Sequence, residues 1–246
     1  MLRGLAVIWV IVTHYIFNSI GRQKYRVDNR ELDKETKKQY RAKIYRIMKK
    51  LCSGMLKASG AEIEVRGKEN LPKNGPVVYM VTHKSMFDAP LVAHIVDDPS
   101  IFIGKEEIKK IPCISSWFNA IGSIYIARDD MKQSLQVILQ GIEELKDGQS
   151  VVIFPEGTRS KDESIGELKA GSFKLALKAK VPIVPIAVQN THKLLEVNGG
   201  KKVTPAKIYA NIGKPIDVAN LSREEQKTLP SDVQKYMEQL TKEITD

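Results

Sequence analysis

The apolar positions along most of this chain fall into two kinds of pattern. Short runs rich in Val and Ile, bounded by Gly or Pro, are typical of buried strands, and apolar residues spaced three and four apart indicate helices. The first kind predicts strands at 61–66, 77–82, 101–104, 123–127, 151–154, 183–188 and 206–212. The second kind predicts helices at 88–96, 106–119, 131–146 and 171–180, and one or two polar helices over 222–245. This alternation predicts an α/β fold with a central, mostly parallel sheet flanked by helices.

The first 60 residues follow a different pattern. An apolar run over 5–17 contains Trp9 and Tyr15, and it is shorter than the roughly 20 residues that a membrane-spanning helix needs. The polar stretch 22–38 is predicted to be a loose connection. Over 40–57, apolar residues recur on one helical face with Lys and Arg around them, which predicts a basic amphipathic helix.

Charge is concentrated in the same N-terminal quarter. Residues 1–60 contain 14 Lys and Arg against 4 Asp and Glu, and the rest of the chain contains 25 of each, so the net charge of +10 arises entirely in the first segment. A basic pI alone leaves nucleic acid open as a partner. A basic segment attached to a neutral body instead favours a membrane surface with anionic lipids, and no nucleic acid.

A basic amphipathic helix beside an aromatic-bearing apolar helix predicts a helical hairpin that lies at the membrane interface. The chain is therefore divided into a membrane-associating hairpin at 1–60 and an α/β domain at 61–246. The alternative for 40–57 is an ordinary core-packing helix with a solvated basic face. The predicted membrane contacts are Leu5, Trp9, Tyr15, Phe17, Arg46, Lys49 and Lys50. The hairpin predicts a peripheral or monotopic protein on the cytoplasmic face of the cell membrane.

The two cysteines, Cys52 and Cys113, have neither paired nor metal-like spacing. They predict no disulfide framework and no zinc site, and they favour a reducing compartment. The sequence contains no other cluster with metal-ligand spacing, so no metal site is predicted.

Candidate chemistry follows two of the predicted strands. His83, with Asp88 five residues later, comes directly after the strand at 77–82. The two side chains can meet if His83 ends the strand and Asp88 lies near the start of the next helix. A carboxylate bonded to one imidazole nitrogen fixes the tautomer and leaves the other nitrogen as a base.

The stretch Phe-Pro-Glu-Gly-Thr-Arg-Ser at 154–160 follows the strand at 151–154. In an open α/β sheet, ligands bind just beyond the carboxyl ends of the strands. Arg159 can bind a phosphate or carboxylate through two parallel hydrogen bonds, and Gly157 lets an anion approach the backbone amides. The plainer alternative is a tight turn with an ion pair between Glu156 and Arg159.

Four ordered blocks together resemble the glycerolipid acyltransferase family. Two of them are the His-x4-Asp block and the 154–160 block. The third is Gly-Ser-Ile-Tyr-Ile-Ala-Arg at 122–128, and the fourth is Val-Pro-Ile-Val-Pro at 181–185. The resemblance covers roughly residues 60 to 215. Thr82 and Ala127 depart from the family, which commonly has Asn before the histidine and often an acidic residue before the arginine.

The resemblance implies an enzyme that transfers an acyl chain from an acyl thioester to the sn-2 hydroxyl of 1-acyl-glycerol 3-phosphate, giving phosphatidic acid in phospholipid biosynthesis. His83 would be the general base on the acceptor hydroxyl, and Asp88 would orient it. The co-substrate would be a thioester of acyl carrier protein or of coenzyme A, with no further cofactor. The alternatives are an acyltransferase for glycerol 3-phosphate or another lysophospholipid, and a non-catalytic membrane lipid-binding protein of the same fold.

The acceptor phosphate needs fixed positive charge, and Arg128 and Arg159 are the best candidates, as the resemblance also implies. Either arginine can instead form a structural ion pair, Arg128 with Asp129 in the first case. The thioester oxygen needs hydrogen-bond donors, which Lys105 or a backbone amide near Gly157 can supply. Glu156 either binds a glycerol hydroxyl or shapes its turn, and Lys105 is alternatively a solvated surface residue. The predicted substrate-binding residues are Lys105, Arg128, Glu156, Gly157, Thr158 and Arg159.

Overall fold

The computed structural model of the chain describes residues 2–28, 30–73, 75–127, 131–160 and 164–245. Within them, seven strands form one sheet in the order β1-β7-β6-β2-β5-β3-β4, and every pairing is parallel except that of β6 with β7. The strands are β1 Ala61–Arg66, β2 Val78–Val81, β3 Ser100–Lys105, β4 Ile124–Ile126, β5 Ser150–Ile153, β6 Ile183–Gln189 and β7 Ala206–Ile212. The predicted α/β fold with a mostly parallel sheet is confirmed.

The described residues form eight α-helices. They are α1 Leu2–Phe17, α2 Ser19–Tyr25, α3 Lys34–Ser59, α4 Asp88–Ile95, α5 Pro112–Ala120, α6 Met131–Lys146, α7 Ala170–Ala179 and α8 Arg223–Thr245. The helical stretch expected at 106–119 is divided into a 3₁₀ turn at Glu106–Lys110 and α5. The division falls before Pro112, which lacks an N–H donor and is tolerated only in the first turn of a helix.

The central strands are apolar along their whole length because both faces of the sheet are covered. In β2, Val78 and Met80 point to one side and Tyr79 and Val81 to the other, and all four are buried. The first side packs against α6, α7 and α8, and the second against α3, α4 and α5. This three-layer arrangement is why the strands appear in the sequence as continuous apolar runs rather than as alternating ones.

The N-terminal helix pair is present, with bounds that differ from those predicted. The connection predicted at 22–38 is shorter than expected. Among its described residues only 26–28 and 30–33 lie outside helices, because Ser19–Tyr25 is helical and α3 already begins at Lys34. Asp33 caps α3 by accepting a hydrogen bond from the Thr36 amide at 2.9 Å. The first turn of α3 is charged rather than periodic in apolar residues, so apolar spacing alone does not reveal it.

The apolar face of α3 packs into the protein core. Ile44, Met48 and Leu51 belong to the same buried cluster as Tyr79 of the sheet. The core-packing alternative therefore describes this face of α3, while Arg46 and Lys50 on its other side are exposed. The division of the chain at residue 60 stays a prediction.

Helix α1 packs on α3 through one face and leaves the other uncovered. The exposed apolar residues of α1 and α2 are Leu2, Leu5, Ile8, Trp9, Val12, Ile16, Phe17 and Ile20. Among the described residues, no single helix has the length and apolar character of a membrane span. Leu2–Phe17 and Ser19–Tyr25 meet those criteria only as a pair, and the two helices are bent by 61° at their junction.

Candidate active site

The parallel sheet brings the predicted site residues to one edge. Strand β2 lies next to β5, so His83, just past the end of β2, lies beside the turn that follows β5. The ring of His83 stacks on Phe154, with the ring centroids 4.3 Å apart. The carboxyl ends of β3 and β4 lie at the same edge, because β5 pairs with β3 and β3 pairs with β4 in parallel.

His83 and Asp88 form the predicted contact. His83 Nδ1 lies 2.9 Å from Asp88 Oδ2, with the carboxylate fully buried and the imidazole 18% exposed. Asp88 Oδ2 also accepts hydrogen bonds from the backbone amides of Lys84 at 2.6 Å and Ser85 at 2.7 Å. An oxygen that accepts from two amides acts as an acceptor toward His83 as well, so Nδ1 carries the proton and Nε2 is left as the basic nitrogen.

Side-chain oxygens accept hydrogen bonds from five consecutive backbone amides, those of residues 83–87. The His83 amide donates to Glu156 Oε1, the next two donate to Asp88 Oδ2, and the Met86 amide donates to Glu196 Oε1. The Phe87 amide donates to the hydroxyl oxygen of Ser85. Three carboxylates and one hydroxyl thus fix the turn that carries the histidine. These amides are therefore already paired and are not an anion site.

Glu156 is turned inward. It is 4% exposed, and its second oxygen accepts from the Ser160 hydroxyl and from the Gly166 amide. The Gly157 amide donates to the carbonyl oxygen of Phe154 at 3.0 Å and so closes the turn. The geometry favours a structural role for Glu156 and gives the Gly157 amide a partner within the turn.

Gly157 has a φ of +72°, a conformation that residues with a side chain rarely adopt. A Cβ at this position would lie 2.8 Å from the side chain of Lys169. The end of the Lys169 side chain can move aside, so the positive φ is the constraint that explains the need for glycine in this turn.

Arg159 does not pair with Glu156. Its Nη1 donates to Glu196 Oε1 at 2.9 Å, and the guanidinium is about half exposed at the rim of the site. Thr158, beside it, is also exposed. A half-exposed guanidinium offers several N–H donors to an anion arriving from solvent.

The remaining predicted substrate contacts occupy different environments. Lys105 ends β3 with an exposed side chain, and its Nζ lies 3.8 Å from Glu107 Oε1. Arg128 lies outside the described residues, so its predicted role stays a prediction. A cleft of about 660 Å³ lies beside the 154–160 turn and is lined partly by Thr158, Leu168 and Pro230. His83 is not one of the described residues that line this cleft. We therefore do not place the reacting groups in it.

The predicted membrane contacts also differ among themselves. Leu5, Trp9 and Phe17 are exposed on α1. The Tyr15 ring instead lies under the guanidinium of the buried Arg22. The Nζ of Lys49 donates to the Val96 carbonyl and to Asp97, so this lysine ties α3 to the end of α4.

Several residues at the site escaped sequence reasoning. Glu196 lies 37 positions after Arg159, and no local pattern marks it. Lys84 is buried, and its Nζ donates to the Ser164 carbonyl at 3.0 Å, which links the histidine turn to the loop after 154–160. Lys84 follows the end of β2, whereas Glu196 lies in the connection between β6 and β7, and only the fold shows that both reach the histidine turn. In the part of the chain that the structure describes, no three His, Cys, Asp or Glu residues are grouped as metal ligands would be.

Comparisons with known proteins agree with this arrangement. Residues 62–189 match the acyltransferase family. The 1-acyl-sn-glycerol-3-phosphate acyltransferase of Borreliella burgdorferi is 30% identical over 177 residues, which span 70% of this chain and 69% of that protein. A chloroplastic 1-acyl-sn-glycerol-3-phosphate acyltransferase of Arabidopsis thaliana is 33% identical over 178 residues, and the match spans 72% of this chain and half the length of the plant protein.

A solved structure has the same fold. The crystal structure of the 1-acyl-sn-glycerophosphate acyltransferase from Thermotoga maritima superposes with a TM-score of 0.79, covering 98% of this chain and 95% of the other. The two sequences are 24% identical, so this likeness concerns the fold alone.

Proposed function

The chain belongs to the acyltransferase family, and on that basis we propose that it transfers an acyl chain from a thioester to the sn-2 hydroxyl of 1-acyl-glycerol 3-phosphate. The product is phosphatidic acid, a precursor in phospholipid biosynthesis. One observation carries the proposal beyond family membership. It is the contact of His83 with the buried Asp88, at the same sheet edge as the exposed guanidinium of Arg159.

In this mechanism His83 acts as the general base. Asp88 holds Nδ1, and Nε2 takes the proton of the acceptor hydroxyl as its oxygen attacks the thioester carbonyl carbon. The tetrahedral intermediate then collapses, the thiolate leaves, and the proton on His83 is available to it. Acyl transfer is thus direct, with no covalent enzyme intermediate. Stacking on Phe154 and the paired amides of 83–87 support a fixed ring orientation, so little reorganisation is needed during reaction.

Positive charge at the rim selects the acceptor. Arg159 binds the phosphate of the lysophospholipid through N–H donors that can form two parallel hydrogen bonds. Arg128 is proposed as its partner because the family pattern places an arginine there. Lys105, exposed at the end of β3, is the proposed donor to the thioester oxygen, since the Gly157 amide already donates within its own turn.

The acceptor resides in a bilayer, so the protein has to work at a membrane surface. We assign membrane contact to the uncovered apolar face of α1 and α2, which exposes Trp9, Phe17 and Ile20. Arg46 and Lys50, exposed on α3, would attract anionic lipids. The protein is then peripheral or monotopic at the cytoplasmic face of the cell membrane, where acyl carrier protein and coenzyme A thioesters are available.

An acceptor panel tests the function. The purified full chain is given 1-acyl-glycerol 3-phosphate, glycerol 3-phosphate or a neutral lysophospholipid, each with acyl carrier protein and coenzyme A thioesters, and products are identified by mass. We expect phosphatidic acid from the first acceptor with at least one donor, and at least about a hundredfold less from the His83→Ala variant. Product from glycerol 3-phosphate alone would move the activity to another acceptor, and no product with any pair would refute the enzyme assignment.

A further inference from the structure

Glu196 forms hydrogen bonds with two parts of the site that have different roles in the proposed mechanism, the turn that carries His83 and the guanidinium of Arg159. Its Oε1 accepts from the Met86 amide and from Arg159 Nη1, both at 2.9 Å, and its Oε2 accepts from the Ser85 hydroxyl at 2.7 Å. Two of these donors belong to the turn that carries His83, and the third is the proposed phosphate-binding group. One carboxylate therefore connects the base to the anion-binding arginine.

The segment that carries Glu196 is held in place by its own contacts. Leu194 is fully buried, and its carbonyl accepts from the Thr204 amide at 2.9 Å. The Thr204 hydroxyl donates to the Lys193 carbonyl, and the Asn198 side chain donates to the same hydroxyl oxygen. Because both flanks of Glu196 are fixed to the loop before β7, the carboxylate is presented from a supported segment rather than from an unanchored loop.

Two roles are possible for a carboxylate paired with a phosphate-binding arginine. It can occupy the anion position and be displaced by substrate, or it can stay and hold the arginine. Displacement would leave the hydroxyl of Ser85, a fully buried residue, without its acceptor, and would free the Met86 amide. Leaving the hydroxyl of the buried Ser85 unpaired is unfavourable, so the contacts favour a carboxylate that stays.

We propose that Glu196 is a positioning residue, which holds Arg159 toward the acceptor phosphate and fixes the turn that carries His83. The proposal rests on the function proposed above. Holding one N–H of the guanidinium reduces the conformational freedom that a long, half-exposed side chain would lose on binding phosphate. The remaining guanidinium donors serve the phosphate. The hydrogen bonds donated by Ser85 and Met86 stabilise the carboxylate of Glu196 in this position.

Steady-state kinetics test the connection to Arg159. For Glu196→Ala we expect the acceptor KM to rise by roughly tenfold and kcat to fall severalfold, as for loss of a hydrogen bond to a charged group, with the donor KM within about twofold. Glu196→Gln keeps an oxygen for Met86 and Arg159 and should recover part of the loss. In an Arg159→Ala background, Glu196→Ala should change the acceptor KM by less than about twofold, because the shared interaction is already absent.

The matched control is Glu224→Ala, which removes an exposed carboxylate paired with Lys227 on α8. It should leave all kinetic constants unchanged. A fall in acceptor KM for Glu196→Ala would identify a displaceable carboxylate and overturn the proposal. Independent, multiplying effects of the Glu196 and Arg159 substitutions on the acceptor KM would do the same.

Hydrogen exchange gives a second readout that does not depend on activity. Peptides covering 83–90 should exchange faster in Glu196→Ala than in the wild type, while peptides from α8 should be unchanged, since the Met86 amide loses its acceptor. Unchanged exchange over 83–90 overturns the positioning of the turn. If the wild type acylates no acceptor but this exchange difference is present, the proposed function fails and the positioning of the turn stands.

Discussion

At the scale of single residues, the site is organised around an imidazole whose orientation is fixed before substrate arrives. Asp88 contributes twice, because the oxygen that contacts His83 also accepts from the amides of Lys84 and Ser85. The same carboxylate therefore sets both the tautomer and the backbone of the turn. The motif spacing of five residues is what lets one side chain reach back to three donors.

The two members of the pair should respond differently to substitution. His83→Ala should lower kcat by roughly 10²- to 10⁴-fold, because the general base is lost. Its thermal stability should fall little, since the ring is partly exposed and makes one side-chain hydrogen bond, to Asp88. Asp88→Asn should lower kcat severely and also lower the unfolding temperature, because an amide is a weaker acceptor for the two backbone N–H groups. Turnover and thermal unfolding are measured on both variants.

His94→Asn serves as the control, since it alters a histidine at the other end of α4, where Nδ1 contacts Ser53 rather than the site. Its turnover should remain near that of the wild type. A well-folded His83→Ala protein with near-normal kcat would exclude the general-base mechanism.

At the scale of elements, the sequence predicts what local pattern encodes and misses what only the fold creates. The sequence predicts the strands that are buried on both faces within one or two residues, because their continuous apolar runs are visible locally. It does not reveal the helical turns at Ser19–Tyr25 and the start of α3, because they are polar. The dyad followed from spacing at a strand end. Glu196 has no such signal, because its contacts depend on which loops β6 and β2 bring to one edge.

An ion-pair network joins α3 to α6 and illustrates such a long-range contact. Glu144 accepts from Arg41 Nη1 at 2.7 Å and from Lys37 Nζ at 3.0 Å, and Arg41 is 5% exposed. Burial works to raise the pKa of Glu144, but the hydrogen bonds and charges of the two cations outweigh it, so its pKa is lowered from the ordinary 4.5. The folded protein thus holds this carboxylate in its ionised form more strongly than the unfolded chain does.

The pH dependence of stability follows from that direction. A carboxyl whose pKa is lowered by folding stabilises the protein fully above its unfolded value of 4.5, and this stabilisation is lost as the pH falls through the lower folded pKa. Glu144→Gln should therefore lower the free energy of unfolding by about 3 kcal/mol at neutral pH, because Arg41 stays buried without its counter-charge. Denaturant unfolding should show that the difference from the wild type shrinks below pH 4.5.

The exposed neighbour Glu143 supplies the control, since Glu143→Gln should change stability little at any pH. A difference between wild type and Glu144→Gln that is the same at neutral and acidic pH would mean that the loss is one of packing and not of charge.

At the scale of the whole molecule, the net positive charge and the uncovered apolar surface occupy the same end of the chain but different helices. The apolar face belongs to α1 and α2, while α3 carries most of the exposed cations of this segment and buries its other face in the core. Removing residues 1–60 would thus delete Ile44 and Leu51 and expose the part of the same buried cluster that remains, including Tyr79 of the sheet. Substitutions on the surface are therefore a sharper test of membrane contact than truncation.

Two sets of surface substitutions should separate the two contributions to membrane binding. Replacing Trp9, Phe17 and Ile20 by Ser removes exposed apolar area, so it should weaken binding to neutral and anionic vesicles alike. Replacing Arg46 and Lys50 by Gln should weaken binding to anionic vesicles only, by about 1 kcal/mol per charge at low salt and less at high salt.

Leu135→Ser with Leu139→Ser, which alters exposed leucines on α6, is the control and should not affect binding. Vesicle sedimentation measures all three variants with and without salt. If the triple serine variant binds neutral vesicles as well as the wild type does, the uncovered face of α1 and α2 is not the membrane contact.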